Sequence, residues 1–207
     1  MTVIVKQIFK EMWPSIWPMM TFISVLFITL RIAHLSKSNK KIIFHKEILS
    51  LIFIIYILCL YYILMYQTNE YDSINLIPFE EILTYPIGSS KFINYTINNI
   101  ILFIPFGFYS SYYINNKNTK ICIITTLIVS LSIELMQYYI NTTFNIDNII
   151  LNVLGGILGY LLFICFKAIE SRLPKFMKSD NFINFILITI IILIVLFSLG
   201  INIFSYI

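Results

Sequence analysis

Six apolar stretches, each close to 20 residues long and separated by short polar segments, dominate this 207-residue chain. A helix that crosses a bilayer needs about 20 mainly apolar residues, and unpaired strand edges cannot face lipid. The pattern therefore specifies an all-α fold, a polytopic membrane bundle of about six transmembrane helices. Composition agrees. Only 12% of the residues are charged, against roughly 25% in an average soluble protein. The expected spans are about 16–33, 48–66, 95–114, 119–140, 147–167 and 183–206, with a short interfacial helix at 3–12. The longest connection, about 67–94, lies between the second and third spans. Three regions follow: 1–47, a first span and basic loop; 48–167, a four-helix core; and 168–207, a basic linker and last span.

Lys and Arg are distributed unevenly between the two sides. Lys6, Lys10 and Lys91 fall on the N-terminal side, whereas eleven fall on the other: Arg31, Lys37, Lys40, Lys41, Lys46, Lys117, Lys120, Lys167, Arg172, Lys175 and Lys178. Basic loops stay in the cytoplasm, so both termini, the 67–94 loop and the loop after the fourth span are expected outside. The basic linkers suit anionic lipid and do not indicate nucleic acid. The N-terminus lacks a small-x-small cleavage site and reads as a retained helix. Cys59, Cys122 and Cys165 lie within apolar stretches and read as small core residues; no disulfide framework or metal site is expected. His34 and His45 are expected to be solvated loop residues. The scarcity of Ala and abundance of Ile, Asn and Lys fit an AT-rich genome such as that of a Gram-positive bacterium.

Ionisable groups are costly inside a membrane span, which singles out Glu134. It lies about six residues, or roughly 9 Å, from the outer end of its helix. Ser130, Glu134 and Gln137 are spaced to share one face. The next span begins with Asp147 and Asn148, and Asp147 has the position of a helix cap. Asn148 and Asn152 share a face that continues into Gly155 and Gly159, a spacing that admits close helix approach. Asn99 sits near the outer end of the third span, followed by Pro105, which is expected to kink it, and by Gly107. At one depth these residues suggest an outward-facing polar pocket formed by Asn99, Ser130, Glu134, Gln137, Asp147, Asn148 and Asn152. The helices carrying Glu134 and Asn152 are expected to pack face to face, with Glu134 donating a hydrogen bond to nearby amides. No nucleophile elbow, metal spacing or phosphate loop accompanies the set, and no cofactor is expected.

Four pieces occur in an order that resembles the VanZ-like family: Asn75-Leu76-Ile77-Pro78-Phe79; Asn99 through Phe103, Pro105 and Gly107; Ser130 through Glu134 to Gln137; and Asp147-Asn148 through Asn152, Gly155, Gly156 and Gly159. The resemblance covers about residues 48–167. It departs from the family where an Arg usually precedes the last motif, here Asn141-Thr142-Thr143-Phe144, and where Asn148 replaces an Asp. The family's founding member is linked to low-level resistance to the glycopeptide teicoplanin. The resemblance thus implies a cell-envelope protein that contacts membrane lipids and a lipid-linked cell-wall component or a glycopeptide, and that lowers susceptibility to teicoplanin-type antibiotics. The alternatives are an intramembrane enzyme acting on a lipid or cell-wall precursor, with Glu134 as acid or base, and a small transporter. An enzyme is disfavoured by the missing nucleophile. A transporter is disfavoured by the absence of an inverted repeat and by the clustering of polar groups toward one side.

Overall fold

A computed structural model describes residues 2–38, 43–66, 74–114, 118–140 and 143–198. In chain order the described elements are α1 (Thr2–Ser38), α2 (Phe44–Tyr66), β1 (Ile74–Asn75), α3 (Glu80–Thr84), α4 (Ser90–Ile114), α5 (Thr119–Tyr139), β2 (Phe144–Asn145), α6 (Ile146–Arg172) and α7 (Asp180–Ser198). Helices α1, α2, α4, α5 and α6 each contain a stretch long and apolar enough to cross a membrane. The fold is therefore an all-α, multi-pass bundle. The sixth expected span, 183–206, begins in α7, but residues 199–206 lie outside the described residues.

One local reading changes. The expected interfacial helix and first span form one continuous helix, α1, which passes through Pro14 and Pro18. Pro105 lies inside α4. The long connection contains the five-residue α3, and its β1 pairs in parallel with β2, matching Ile74 to Phe144 and Asn75 to Asn145. This two-residue pairing joins two connections at the helix ends rather than exposing strand edges to lipid.

The chain divides into two compact units. The first comprises Met1–Ile55 and Ile169–Ile207. In it, the Arg31 guanidinium on α1 forms a two-point ion pair with Glu47 on α2, at 2.6 and 2.9 Å. His45 is not a solvated loop residue. It is 3% exposed, because Asn184 on α7 reaches it. The Asn184 Oδ1 accepts from the His45 backbone N–H and lies 2.9 Å from its Nδ1. That backbone N–H belongs to the first turn of α2, where it has no partner within the helix.

The second unit, Tyr56–Ala168, holds the polar core. Glycines bring α4 and α6 together. A Cβ at Gly107 would overlap the backbone of Gly156, one at Gly155 would overlap the Ile100 carbonyl, and one at Gly159 would overlap the Ile104 carbonyl. Backbone contact of this kind needs residues without side chains. Gly156 faces α5 as well, where a Cβ would strike Thr126. The fully buried Phe103 and Phe163 fill the space around this crossing, while the outer faces of the helices remain apolar and exposed, as a lipid-facing surface requires.

Candidate functional site

Glu134 is 2% exposed and sits on α5, one turn from the helix end. Both its carboxyl oxygens accept hydrogen bonds. The Asn145 backbone N–H donates to Oε2 at 2.9 Å, and the Asn148 side-chain amide donates to Oε1 at 3.0 Å. The expected donation by Glu134 is therefore reversed. The Asn145 N–H has a fixed direction and can only donate, and the amide orientation of Asn148 is set from its other side. There its Oδ1 accepts from the Tyr95 hydroxyl at 2.8 Å and from the Asn99 amide at 3.2 Å. Asn99 also donates to the Tyr95 carbonyl one turn back along α4.

The chain of bonds closes into a ring. The Asn145 side-chain amide donates to the Tyr95 hydroxyl at 3.0 Å and to the Glu81 carboxyl. Glu134, Asn148, Tyr95 and Asn145 thus form a four-residue circuit, and Glu81 is attached to it from the 67–94 connection. Every described donor in the circuit meets an acceptor, the condition for burying polar groups without a large penalty.

Asp147 has a different task from the one its position suggests. It does not cap its own helix. Asn145 does so, with its Oδ1 accepting from the Asp147 N–H at 2.9 Å. The Asp147 carboxylate turns to the other connection and accepts from the backbone N–H groups of Phe79, Glu81 and Ile82, at 2.5, 2.9 and 3.2 Å. These are unpaired donors at the start of α3, whose N-cap residue, Phe79, supplies no side-chain cap of its own. A carboxylate is the acceptor such donors favour. Phe79 adopts the left-handed region, with φ 67°, which is strained for a bulky residue. Its bond to Asp147 lies at that turn. Burial, and then the neighbouring Asp147 carboxylate, push the Glu81 carboxyl above the usual carboxylate range, and the Tyr95 hydroxyl pulls it partly back.

The other expected site residues are dispersed. Asn152 donates to the Ser130 hydroxyl at 2.8 Å, so α5 and α6 face each other there as the sequence suggests. The Asn152 Oδ1 is buried without a partner among the described residues. Gln137 does not face α6: its amide donates to the Leu64 carbonyl of α2 at 2.8 Å. Gly155 faces α4 rather than α5. The structure therefore joins Asn99, Glu134 and Asn148, places Ser130 and Asn152 one turn deeper, and gives Asp147 to the 67–94 connection and Gln137 to α2. Sequence reasoning missed Tyr95, Asn145 and Glu81. Tyr95 precedes Asn99 by one helical turn and Asn145 precedes Asp147 by two residues, which are the available signals. Among the described residues there is no cluster of three metal-ligating side chains.

The VanZ/LLP1 family profile matches residues 53–167, more than half of the chain. All the residues of the ring, Glu81 and Asp147 lie within that range. Searches against curated proteins and against solved structures give no match.

Proposed function

Because the chain belongs to the VanZ/LLP1 family, we propose that it is an envelope membrane protein whose polar ring engages a lipid-linked or surface component and thereby lowers susceptibility to teicoplanin-type glycopeptides. The eleven-to-three bias of Lys and Arg supports an orientation with both termini and the ring-bearing connections outside. The observation that carries the reading is the make-up of the ring. Two carboxyl groups, Glu81 and Glu134, are bonded through one residue, Asn145, and Glu134 accepts from two neutral N–H donors, the Asn145 backbone and the Asn148 amide. A site rich in acidic acceptors suits a donor-rich ligand, such as the hydroxyl or ammonium groups of a lipid headgroup, glycan or peptide. The test is direct: a susceptible strain producing the chain should show reduced susceptibility to teicoplanin relative to the same strain without it. Unchanged susceptibility, with the protein present in the membrane, would remove the glycopeptide reading.

One observation favours a second reading, an intramembrane enzyme acting on a lipid or cell-wall precursor. Asn145 bonds to both Glu81 and Glu134, and paired carboxyl groups are a common arrangement for acid–base work. The two readings separate at Glu134→Gln, which keeps an acceptor but cannot transfer a proton. A binding site retains much of its effect in that variant, and an acid–base site loses it.

A further inference from the structure

The segment between β1 and α4 carries large apolar side chains that nothing in the described residues covers. Leu83 is 72% exposed and Ile87 is 85% exposed, and Leu76, Ile77 and Phe79 are each more than half exposed. Such a concentration is not expected of a loop standing in water.

The segment is fixed at a particular level. Asp147 holds its backbone at Phe79, Glu81 and Ile82, and Asp147 is the second residue of the α6 span. At its other end, Ile87 precedes Ser90, the first residue of the α4 span, by three residues. At no more than about 3.6 Å per residue, Ile87 lies within roughly 11 Å of that point. Both attachments therefore hold the segment at the ends of two helices long and apolar enough to cross a membrane. Its apolar residues also have a direction. Phe79, Leu83 and Ile87 recur every four residues, Glu80 and Thr84 are exposed beside them, and Glu81 and Ile82 are turned inward. Ile93, Ile97 and Ile101 form a separate series at four-residue spacing on the exposed face of α4, six residues beyond Ile87. The exposed apolar residues of the segment therefore lead in sequence into a membrane span whose own exposed face is apolar.

We propose that residues 76–87 form a membrane-seated shelf, with Leu76, Ile77, Phe79, Leu83 and Ile87 inserted among the lipids at the boundary between headgroups and acyl chains. The occupant of this surface is the bilayer that surrounds α4. The Asp147 carboxylate is the latch that keeps the shelf at that depth, and the left-handed turn at Phe79 leaves its ring half exposed instead of buried in the polar ring. Interfacial segments with one apolar and one polar face sit about 5–10 Å into this boundary.

Tryptophan fluorescence of the full chain in phosphatidylcholine vesicles tests the shelf. In a background with Trp13→Phe and Trp17→Phe, single tryptophans are introduced as Leu83→Trp, Ile87→Trp and, on the polar side, Thr84→Trp. At residues 83 and 87 emission should be blue-shifted, should fall by roughly half or more when the acyl chains are brominated, and should resist acrylamide, as insertion to that depth requires. The tryptophan at 84 should be the more sensitive to acrylamide. Adding Asp147→Ala to Ile87→Trp should raise acrylamide quenching at 87. Free acrylamide access at 83 and 87 without quenching by brominated chains would overturn the shelf. Lipid quenching at 83 and 87 that Asp147→Ala leaves unchanged would overturn the latch.

Discussion

Replacing Glu134 by alanine removes the acceptor for two donors that cannot easily find another. The Asn145 N–H lies at the start of α6, and the Asn148 amide is held on its far side by Tyr95 and Asn99. Each buried donor left unpaired costs about 1–3 kcal/mol, so Glu134→Ala is expected to lose about 2–6 kcal/mol through this effect alone. Glu134→Gln keeps one carbonyl oxygen. It satisfies one donor and sets its own amide against the other. Turning Asn148 over would not repair this, because its Nδ2 would then face the donating Asn99 amide. Glutamine also lifts the burden of burying a carboxylate, which opposes the loss. The firm expectation is therefore the difference between the two variants: Glu134→Gln should be the more stable by about 1–3 kcal/mol, one retained acceptor. Thermal unfolding in detergent, followed by helical circular dichroism, would measure it. An alanine variant as stable as the glutamine variant, or more so, would refute the reasoning, because the two donors would then have had other partners.

Four further expectations follow from the same geometry. Asp147→Ala should speed amide exchange at Phe79, Glu81 and Ile82 by about tenfold or more, one lost charged hydrogen bond being worth at least about 1.5 kcal/mol, with exchange in the middle of α6 unchanged. The Glu81 carboxyl is raised in the folded state, so the folded form holds its proton more tightly than the unfolded one. Stability from this group is thus present at low pH and is lost as pH rises from the ordinary carboxylate range through the raised value. Exchange protection of residues 79–82 should decline over that window, and Glu81→Gln should remove the dependence. Gly159→Leu should destabilise the core by about 1–3 kcal/mol or more, since its side chain meets the backbone of α4, and Leu158→Ala, on the exposed face, should cost less when both are compared by thermal unfolding. Cysteines introduced at Lys40, Lys117 and Lys175 should resist a membrane-impermeant thiol reagent in intact cells; labelling there would reverse the proposed orientation.

The spans were legible because apolar length is a one-dimensional property, and helices in lipid must satisfy their own backbones. Glu134 was legible for the same reason, as a carboxyl where carboxyls are expensive. Helical spacing linked Asn148 to Asn152 and brought both toward α5. What spacing could not supply was the partner of each group. Gln137 reaches a backbone carbonyl on α2, and Asp147 caps a helix 68 residues upstream of itself by way of Phe79. Neither acceptor nor donor there depends on a side-chain type that a sequence would display. Tyr95 is one of 14 tyrosines, and only its place between Asn145 and Asn148 distinguishes it. His45 was misread because Asn184, which buries it, comes 139 residues later.

The proposed role of the ring is tested most directly by teicoplanin susceptibility in cells producing the wild-type chain, Glu134→Gln and Glu134→Ala at matched membrane levels. Susceptibility should be reduced with the wild type, with much of that effect kept by glutamine and none by alanine. Full wild-type behaviour in the alanine variant would contradict that role.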